Sequence, residues 1–431
     1  MINRLALLKM AAQLTSNSFL RYYKQLKKNR ELSKQELENI SLEKHEKIIE
    51  YASENIPFYK RRLAGKDIPV LGKQELKDAG MEVVRPKKGL IKKTTSGTTG
   101  PAFSFYVDKE FFALELARNL RIFDFANVEL GEPWLLLVPL RNKKNWIFSY
   151  LTNRLVLDAT LLSKGRVPLC CPKTKEAQFK PDEQIIQMFF NKIQRYKPRL
   201  VYSYPSTLIA LATYIRKWNV KNVSVEKIIL SGEILTRPAR KYIEETFQGE
   251  VFDLYGTTEF PGVAQECREH RGMHIFTDSF NVEFTNKNEI IITDLENYTM
   301  PFIRYNTNDF GHTIPEKCKC GIEFPLMEIT QGRISDLIVA PNGQFLRAGF
   351  FSSIIEKNQD IKMYQMVQEK QSILKVYIVT DKTFSNSRIE YLNKRFSDYV
   401  GESINVSVEI VPNINLPLKQ YFQVYPVRTI L

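Results

Sequence analysis

From about residue 110 to 330, short apolar segments alternate with stretches of helical periodicity, and this alternation limits the possible folds more than any other feature of the chain. Trp134 to Leu140, Arg199 to Tyr204 and Lys227 to Leu230 read as strands separated by helical sequence. Strands interleaved with helices indicate an α/β layer architecture. Residues 1 to about 90 read mostly helical. Leu32 to Asn55 carries apolar positions at helical spacing and stops at the Ile56-Pro57-Phe58 break, and a further helix starts at Lys73-Gln74-Glu75-Leu76. The texture changes near Gly332-Arg333. The last hundred or so residues combine strand patterns, Leu374 to Val379 and Val406 to Ile410, with one helix around Ser387 to Tyr399. The expectation is a large α/β domain over 1–333 and a small α+β domain over 334–431.

Lys and Arg number 62 against 48 Asp and Glu, a net charge of +14. Such a surface suits polyanionic partners, a nucleotide or coenzyme A among them. Nucleic acid is not expected, because no aromatic-basic motif or helical reader accompanies the charge. The five cysteines, Cys170, Cys171, Cys267, Cys318 and Cys320, are odd in number and sparse. They predict a reducing, cytoplasmic setting rather than a disulfide framework. Met1 to Leu14 is apolar but interrupted by Arg4 and Lys9, which fits an amphipathic helix packed on the body. The alternative for that stretch is peripheral attachment to the inner membrane face.

Between the helical region and the alternating one lies Thr94-Thr95-Ser96-Gly97-Thr98-Thr99-Gly100. A core would leave these hydroxyls without partners, and Gly, Ser and Thr favour local backbone hydrogen bonds over helix or strand. The run therefore predicts a loop whose N–H groups can wrap an anion such as a phosphate. Further polar signatures follow. Ser231-Gly232-Glu233 comes directly after the strand Lys227 to Leu230, at the carboxyl edge where α/β sheets bind ligands. Asp253-Leu254-Tyr255-Gly256-Thr257-Thr258-Glu259 follows the strand Glu250 to Phe252 and offers a ring, a glycine, hydroxyls and a carboxylate. Those groups can stack a base, touch a phosphate and hold magnesium; the alternative is a simple helix cap. Ile303 to Asp309 ends in a carboxylate suited to ribose hydroxyls, and Gln331 to Asp336 sits where a linker is expected.

Taken in this order, these motifs resemble those of the adenylate-forming superfamily of acyl-CoA synthetases. Within it they are most similar to phenylacetate–CoA ligases and the CapK-like branch associated with capsular polysaccharide synthesis. Glu50 to Tyr59 and the Tyr204-Pro205-Ser206 turn add to the likeness. The resemblance implies an N-terminal adenylation domain of several subdomains, with mixed sheets flanked by helices, and a mobile C-terminal domain. It implies that Thr95, Ser96, Gly97, Thr98, Thr99 and Gly100 hold the ATP phosphates, and that Ser231, Gly232 and Glu233 form the adenine segment. Tyr255, beside Gly256, would stack on adenine, Thr258 would contact the α-phosphate and Glu259 would hold magnesium. Asp309 would accept the ribose hydroxyls, Arg333 would fix the nucleotide at the junction, and Lys419 would enter during adenylation. The implied activity is ATP-dependent activation of a small carboxylic acid as an acyl-adenylate. Transfer to a thiol, coenzyme A or another acceptor, would follow, and the CapK-like likeness implies service to surface polysaccharide synthesis.

The sequence departs from the family pattern. Pro101-Ala102-Phe103 stands where a lysine often follows the phosphate loop, Asn308 precedes Asp309, Ser335 lies at the hinge and Leu418 precedes Lys419. These departures keep open a catalytically degenerate, nucleotide-binding or scaffold member. Tyr202, Tyr204 and Phe260 flank the expected pocket and fit either an aryl or medium apolar acid or a place in the core.

Cys318-Lys319-Cys320-Gly321 places two thiols on a tight turn, and Cys267 lies upstream with His270 and His274 beyond it. Three thiols and one histidine would complete a tetrahedral structural zinc site. The resemblance favours His274 over His270 as the fourth ligand. Neither a Gly-x-Ser-x-Gly elbow nor a Walker loop is present.

Overall fold

The computed structural model describes residues 18–65, 67–94, 103–129, 131–138, 146–149, 153–159, 183–235, 237–331, 337–339, 341, 345–347, 361–380 and 384–412. The expectations for Met1 to Leu14, residues 95–100, Cys170, Cys171, Arg333 and Lys419 lie outside these residues.

The N-terminal region is helical, as its periodicity predicts: α1 Ser18–Asn29, α2 Lys34–Asn55, α3 Pro57–Arg62 and α4 Lys73–Ala79. Ser33 opens α2 with a reciprocal cap, its backbone N–H donating to Glu36 at 2.8 Å while its hydroxyl accepts from the Glu36 N–H at 3.4 Å. At Ile56-Pro57 the proline disfavours helical backbone in the residue before it and then starts α3 itself. A hairpin follows, β1 Ile91–Thr94 with β2 Ser104–Val107, in which Thr94 faces Ser104. Helix α5, Lys109–Phe125, begins where Asp108 accepts the Phe111 N–H at 2.8 Å.

One twelve-stranded mixed sheet among the described residues carries the rest of the large region. Its strands are β3 Trp134–Val138, β4 Trp146–Ser149, β5 Arg154–Asp158, β6 Leu200–Ser203, β7 Lys227–Ser231, β8 Glu250–Tyr255, β9 Ala264–Glu266 and β10 Met273–Ile275. They continue with β11 Phe280–Phe284, β12 Glu289–Asp294, β13 Tyr305–Ile314 and β14 Leu326–Gln331. The order is β11-β12-β13-β14-β10-β9-β8-β7-β6-β3-β5-β4. From β5 to β8 neighbours run parallel; from β8 to β11 every pair is antiparallel.

In the parallel half, successive side chains feed two different cores. Ile228 and Leu230 pack with α6 Glu183–Tyr196, α7 Pro205–Lys217 and α8 Arg237–Phe247, while Ile229 joins an aromatic core around Phe103, Phe105, Phe260, Phe280 and Phe302. A strand buried on both faces needs an apolar residue at every position, which is why these strands read as apolar runs. The C-terminal elements are a short pair, β15 Leu337–Val339 with β16 Phe345–Arg347, and a separate α+β unit. In that unit β17 Ile361–Lys370 pairs antiparallel with β18 Ile373–Thr380, and helix α9 Asn386–Val400 crosses over to β19 Asn405–Ile410, parallel to β18. Leu374, Val376 and Ile378 meet Leu392 and Phe396 in its own core.

Two guanidinium groups on α5 are buried where the N-terminal helices meet the antiparallel half. Arg121 donates to both oxygens of Asp278, at 2.6 and 2.8 Å, and Arg118 donates to both oxygens of Asp294, at 2.9 and 3.1 Å. Their planes lie over Phe276 and Phe280, 4.2 and 4.4 Å from the ring centres. Asn29 of α1 also reaches Asp278, at 2.7 Å, and Lys44 of α2 joins Glu296 and the Asp278 carbonyl. Burial alone would raise the Asp278 carboxyl, but the charges of Arg121 and Lys44 and the hydrogen bonds from Arg121 and Asn29 outweigh it and hold the group below its ordinary value.

Removing one partner leaves the other charge buried and alone. Arg121→Met should therefore cost about 3–5 kcal/mol in urea unfolding at pH 7; a loss below about 1 kcal/mol would rule this role out. A carboxyl lowered by folding contributes stability that is complete above its unfolded value, about 3.9, and is lost as pH falls through the folded value. The difference between wild type and Arg121→Met should accordingly shrink on acidification below about pH 4.

Candidate functional site

The sheet changes from parallel to antiparallel at β8, and Ser231, Gly232, Tyr255 and Gly256 lie at its carboxyl end. The strand runs on to Tyr255, three residues beyond the sequence expectation of Phe252, so the tyrosine is the last residue of the ladder. It pairs with Ala264 of β9, while Ser231 on β7 pairs with Leu254. Ser231-Gly232 and Tyr255-Gly256 thus leave the sheet side by side.

Both glycines are required. A Cβ on Gly256 would lie 2.7 Å from the Gly262 nitrogen and 3.0 Å from the Phe260 carbonyl oxygen. Gly232 has φ +77°, and a Cβ there would press on the Tyr204 ring at 3.0 Å. The loop after Tyr255 contains no helix, so the helix-cap alternative does not apply. It closes instead through the Thr257 N–H donating to the Phe260 carbonyl at 3.0 Å and the Val263 N–H donating to the Tyr255 carbonyl at 2.9 Å. Thr258 is exposed at its tip.

Strand β13 brings the second half of the site. The buried Tyr255 hydroxyl donates to the Asp309 carboxylate at 3.1 Å and reaches the Thr307 hydroxyl at 3.4 Å. Glu259, also buried, accepts from the Tyr305 hydroxyl at 3.5 Å, and the Lys73 ammonium stands 3.9 Å from the same oxygen. The segment carrying Lys73 is pinned to β13: the Leu71 N–H donates to the Arg304 carbonyl at 2.8 Å and the Asn306 N–H to the Leu71 carbonyl at 2.9 Å. Tyr255 and Asp309 are therefore brought together, and Glu259 is held to the same strand by Tyr305 with Lys73 as its neighbour; no motif marks Lys73 or Tyr305 for the site. Tyr305 lies inside the quoted 303–309 segment; Lys73 carries no motif signal.

Glu233 behaves differently from its neighbours in sequence. Its carboxylate accepts the Ser206 N–H and hydroxyl, each at 2.7 Å, and so caps α7. The Tyr204-Pro205-Ser206 and Ser231-Gly232-Glu233 turns are thereby locked to each other. Burial pushes the Tyr202 phenol up to about 12, with a hydrogen bond from Ser231 opposing the rise. Phe260 is fully buried against Phe280, Phe302 and Tyr305 and belongs to the core.

The second constellation lies on the antiparallel strands. Ligand atoms of Cys267, His274, Cys318 and Cys320 all fall within 4.8 Å of one another. The Cys267 and Cys318 sulfurs are 3.5 Å apart, and His274 Nε2 is 3.4 Å from the Cys320 sulfur. Tetrahedral zinc with Zn–S near 2.3 Å sets sulfur–sulfur edges of about 3.8 Å, so the donors fit that ion. His274 Nδ1 lies 3.0 Å from the Phe324 carbonyl oxygen, which only accepts; the ring must donate there, leaving Nε2 as the lone pair facing the sulfurs. Burial lowers the His274 imidazole and raises the Cys267 and Cys320 thiols. His270 turns away to Glu266 and Glu250, at 3.1 and 3.3 Å.

Gly256→Ala should cost about 1–3 kcal/mol through overlap with Gly262, whereas Tyr255→Phe, which removes the hydroxyl that meets Asp309 and Thr307, should cost about 0.5–1.5 kcal/mol. Thermal melting of the two variants orders them; a Gly256→Ala protein as stable as wild type would contradict the close approach.

Comparison with known proteins bears on this architecture. Residues 338–419 match the family described as the CapK C-terminal domain. Over 381 residues the chain is 26% identical to the phenylacetate–coenzyme A ligase of Thermus thermophilus, covering 80% of each chain. It is 25% identical to that of Aromatoleum evansii over 350 residues, covering 71% of this chain and 72% of the relative. In fold it is similar to 2-hydroxyisobutyryl-CoA ligase, solved with 2-HIB-AMP and CoA, at a TM-score of 0.63 and 18% identity, covering 92% of this chain and 91% of that one. The chain is thus similar over most of its length to phenylacetate–CoA ligases and carries a CapK C-terminal match, which supports the superfamily branch its motifs resemble.

Proposed function

We propose that the protein activates a carboxylic acid with ATP and transfers the acyl group to a thiol, coenzyme A being the acceptor best supported by its relatives. The observation that carries this reading is that Tyr255 meets Asp309 at the carboxyl end of β8, while Glu259 on the loop that follows is joined to the same strand β13 through Tyr305. Tyr255 offers a ring for adenine, and Asp309, held by the Tyr255 hydroxyl, offers acceptors to ribose hydroxyls. Glu259 is a buried oxygen donor of the kind magnesium takes alongside substrate phosphates. Bound there, magnesium would neutralise charge on the phosphate oxygens. The carboxylate oxygen of the acid attacks the α-phosphorus and pyrophosphate leaves; the thiol sulfur then attacks the acyl carbon and AMP leaves. The protein contributes positioning and fixed charge to both steps. Residues 95–100, Arg333 and Lys419 take the phosphate-loop, hinge and adenylation roles in this scheme, with a small C-terminal domain from about residue 334 moving between the two steps.

The wider setting proposed is the supply of acyl groups to surface polysaccharide, supported by the CapK C-terminal match. No helix among the described residues is long and apolar enough to cross a membrane.

We further assign zinc to Cys267, His274, Cys318 and Cys320 as a structural ion. Four protein donors leave no position for a reacting water. The ion would clasp the segments around β9, β10 and the β13–β14 turn, behind the strand that carries Asp309.

ATP–pyrophosphate exchange over a panel of carboxylic acids tests the activity. Exchange with at least one acid is expected, falling at least about a hundredfold in Glu259→Gln. ATP binding without exchange for any acid would identify a nucleotide-binding scaffold instead. For the metal, about one zinc per chain is expected under reducing conditions, lost in Cys320→Ser and kept in His270→Ala; wild type holding less than about half an equivalent would remove the assignment.

A further inference from the structure

We propose that Lys73 is a phosphate-binding residue of this site, its ammonium meeting the polyphosphate of the bound nucleotide. The inference rests on the ATP reading above and deepens it.

Lys73 is out of place by local rules. It is the first residue of α4, where the helix dipole disfavours a cation. Its helix has no use for the charge: Glu75, the acidic residue of that turn, is taken by the Gly72 N–H at 3.1 Å and by Arg62. Tertiary contacts explain the position. Backbone pairing of Leu71 with β13 fixes the segment, and the ammonium is aimed between the Phe103 ring, 5.8 Å to its centre, and the Glu259 carboxylate, 3.9 Å away. At that distance the contact is coulombic, since a charge-assisted hydrogen bond closes to about 2.7–2.9 Å.

The hydroxyl-rich sequence beside it brings no positive charge of its own. From Thr94 to Phe103 the sequence contains no Lys or Arg. Lys93, at the foot of the same hairpin, is turned to Glu115 at 2.6 Å. Once a divalent cation takes Glu259, two like charges stand on one carboxylate, and that arrangement is favourable only with an anion between them. A polyphosphate satisfies both. Lys73 thus balances Glu259 in the unloaded protein and passes to the phosphate oxygens in the loaded one, with no bond made or broken.

The test measures binding rather than turnover. Magnesium–ATP and AMP are titrated calorimetrically, without any carboxylic acid, into wild type, Lys73→Met and Lys73→Arg. Lys73→Met keeps the aliphatic stem over Phe103, and its melting temperature is read alongside. The expected result is magnesium–ATP binding weakened about tenfold or more in Lys73→Met, AMP binding changed less than about twofold, and most ATP affinity restored in Lys73→Arg. Unchanged ATP binding in Lys73→Met, or equal loss for ATP and AMP, overturns the role of Lys73 and leaves the ATP reading standing. Wild type that binds no magnesium–ATP overturns that reading, and this inference with it.

Discussion

A single strand, β8, has to serve two incompatible neighbours, and the geometry of the site follows from that. On one side it pairs parallel with β7; on the other it pairs antiparallel with β9. A parallel neighbour needs a long crossover, whereas an antiparallel one can return at once. The chain must therefore leave β8 at the very edge where parallel sheets bind ligands and double back within a few residues. That demand accounts for Gly256 pressed against Gly262, for the loop that places Glu259, and for Tyr255 standing at the strand end with its hydroxyl bonded to β13.

The charges of the molecule divide into two kinds by their surroundings. Arg118 and Arg121 are fully enclosed and matched by bidentate carboxylates and aromatic faces, an arrangement with no room for exchange of partners. Asp278 and Asp294 are wholly engaged by this framework. Lys73 and Glu259 stand farther apart, and the lysine side is partly open to solvent. Tight pairs fix shape; loose pairs can be remade around a ligand.

Much of this was legible in the sequence where a residue's role is local. Apolar runs mark strands because both faces of the parallel half are covered, and Ile56-Pro57 marks a boundary because proline restricts the residue before it. The strand at Glu250 ran past Phe252 because Leu254 and Tyr255 still find ladder partners, which a polar Asp253 conceals. Contacts between distant segments were not legible. Nothing near Lys73 announces Glu259, and Glu233 gives no sign that it caps the helix after Tyr204. Spacing could not separate His270 from His274 either. His270 sits in the left-handed region with φ +47° and turns toward acids, while His274 lies within β10 and faces the sulfurs.

The position of β14 has a consequence for how the chain is assembled. It is the last strand of the large sheet in sequence, yet it lies inside it, between β13 and β10. Met327 faces both Met273 on one side and Thr313 on the other. On one side of Leu326–Gln331 lie the parallel strands with β9 and β10, on the other the β11–β13 meander, and without β14 each would have an unpaired edge. Insertion of β14 joins them like the last stave of a barrel wall. Cys318 and Cys320 lie just ahead of that strand and meet Cys267 and His274 across the same junction, so the sulfur cluster spans the seam that β14 fills.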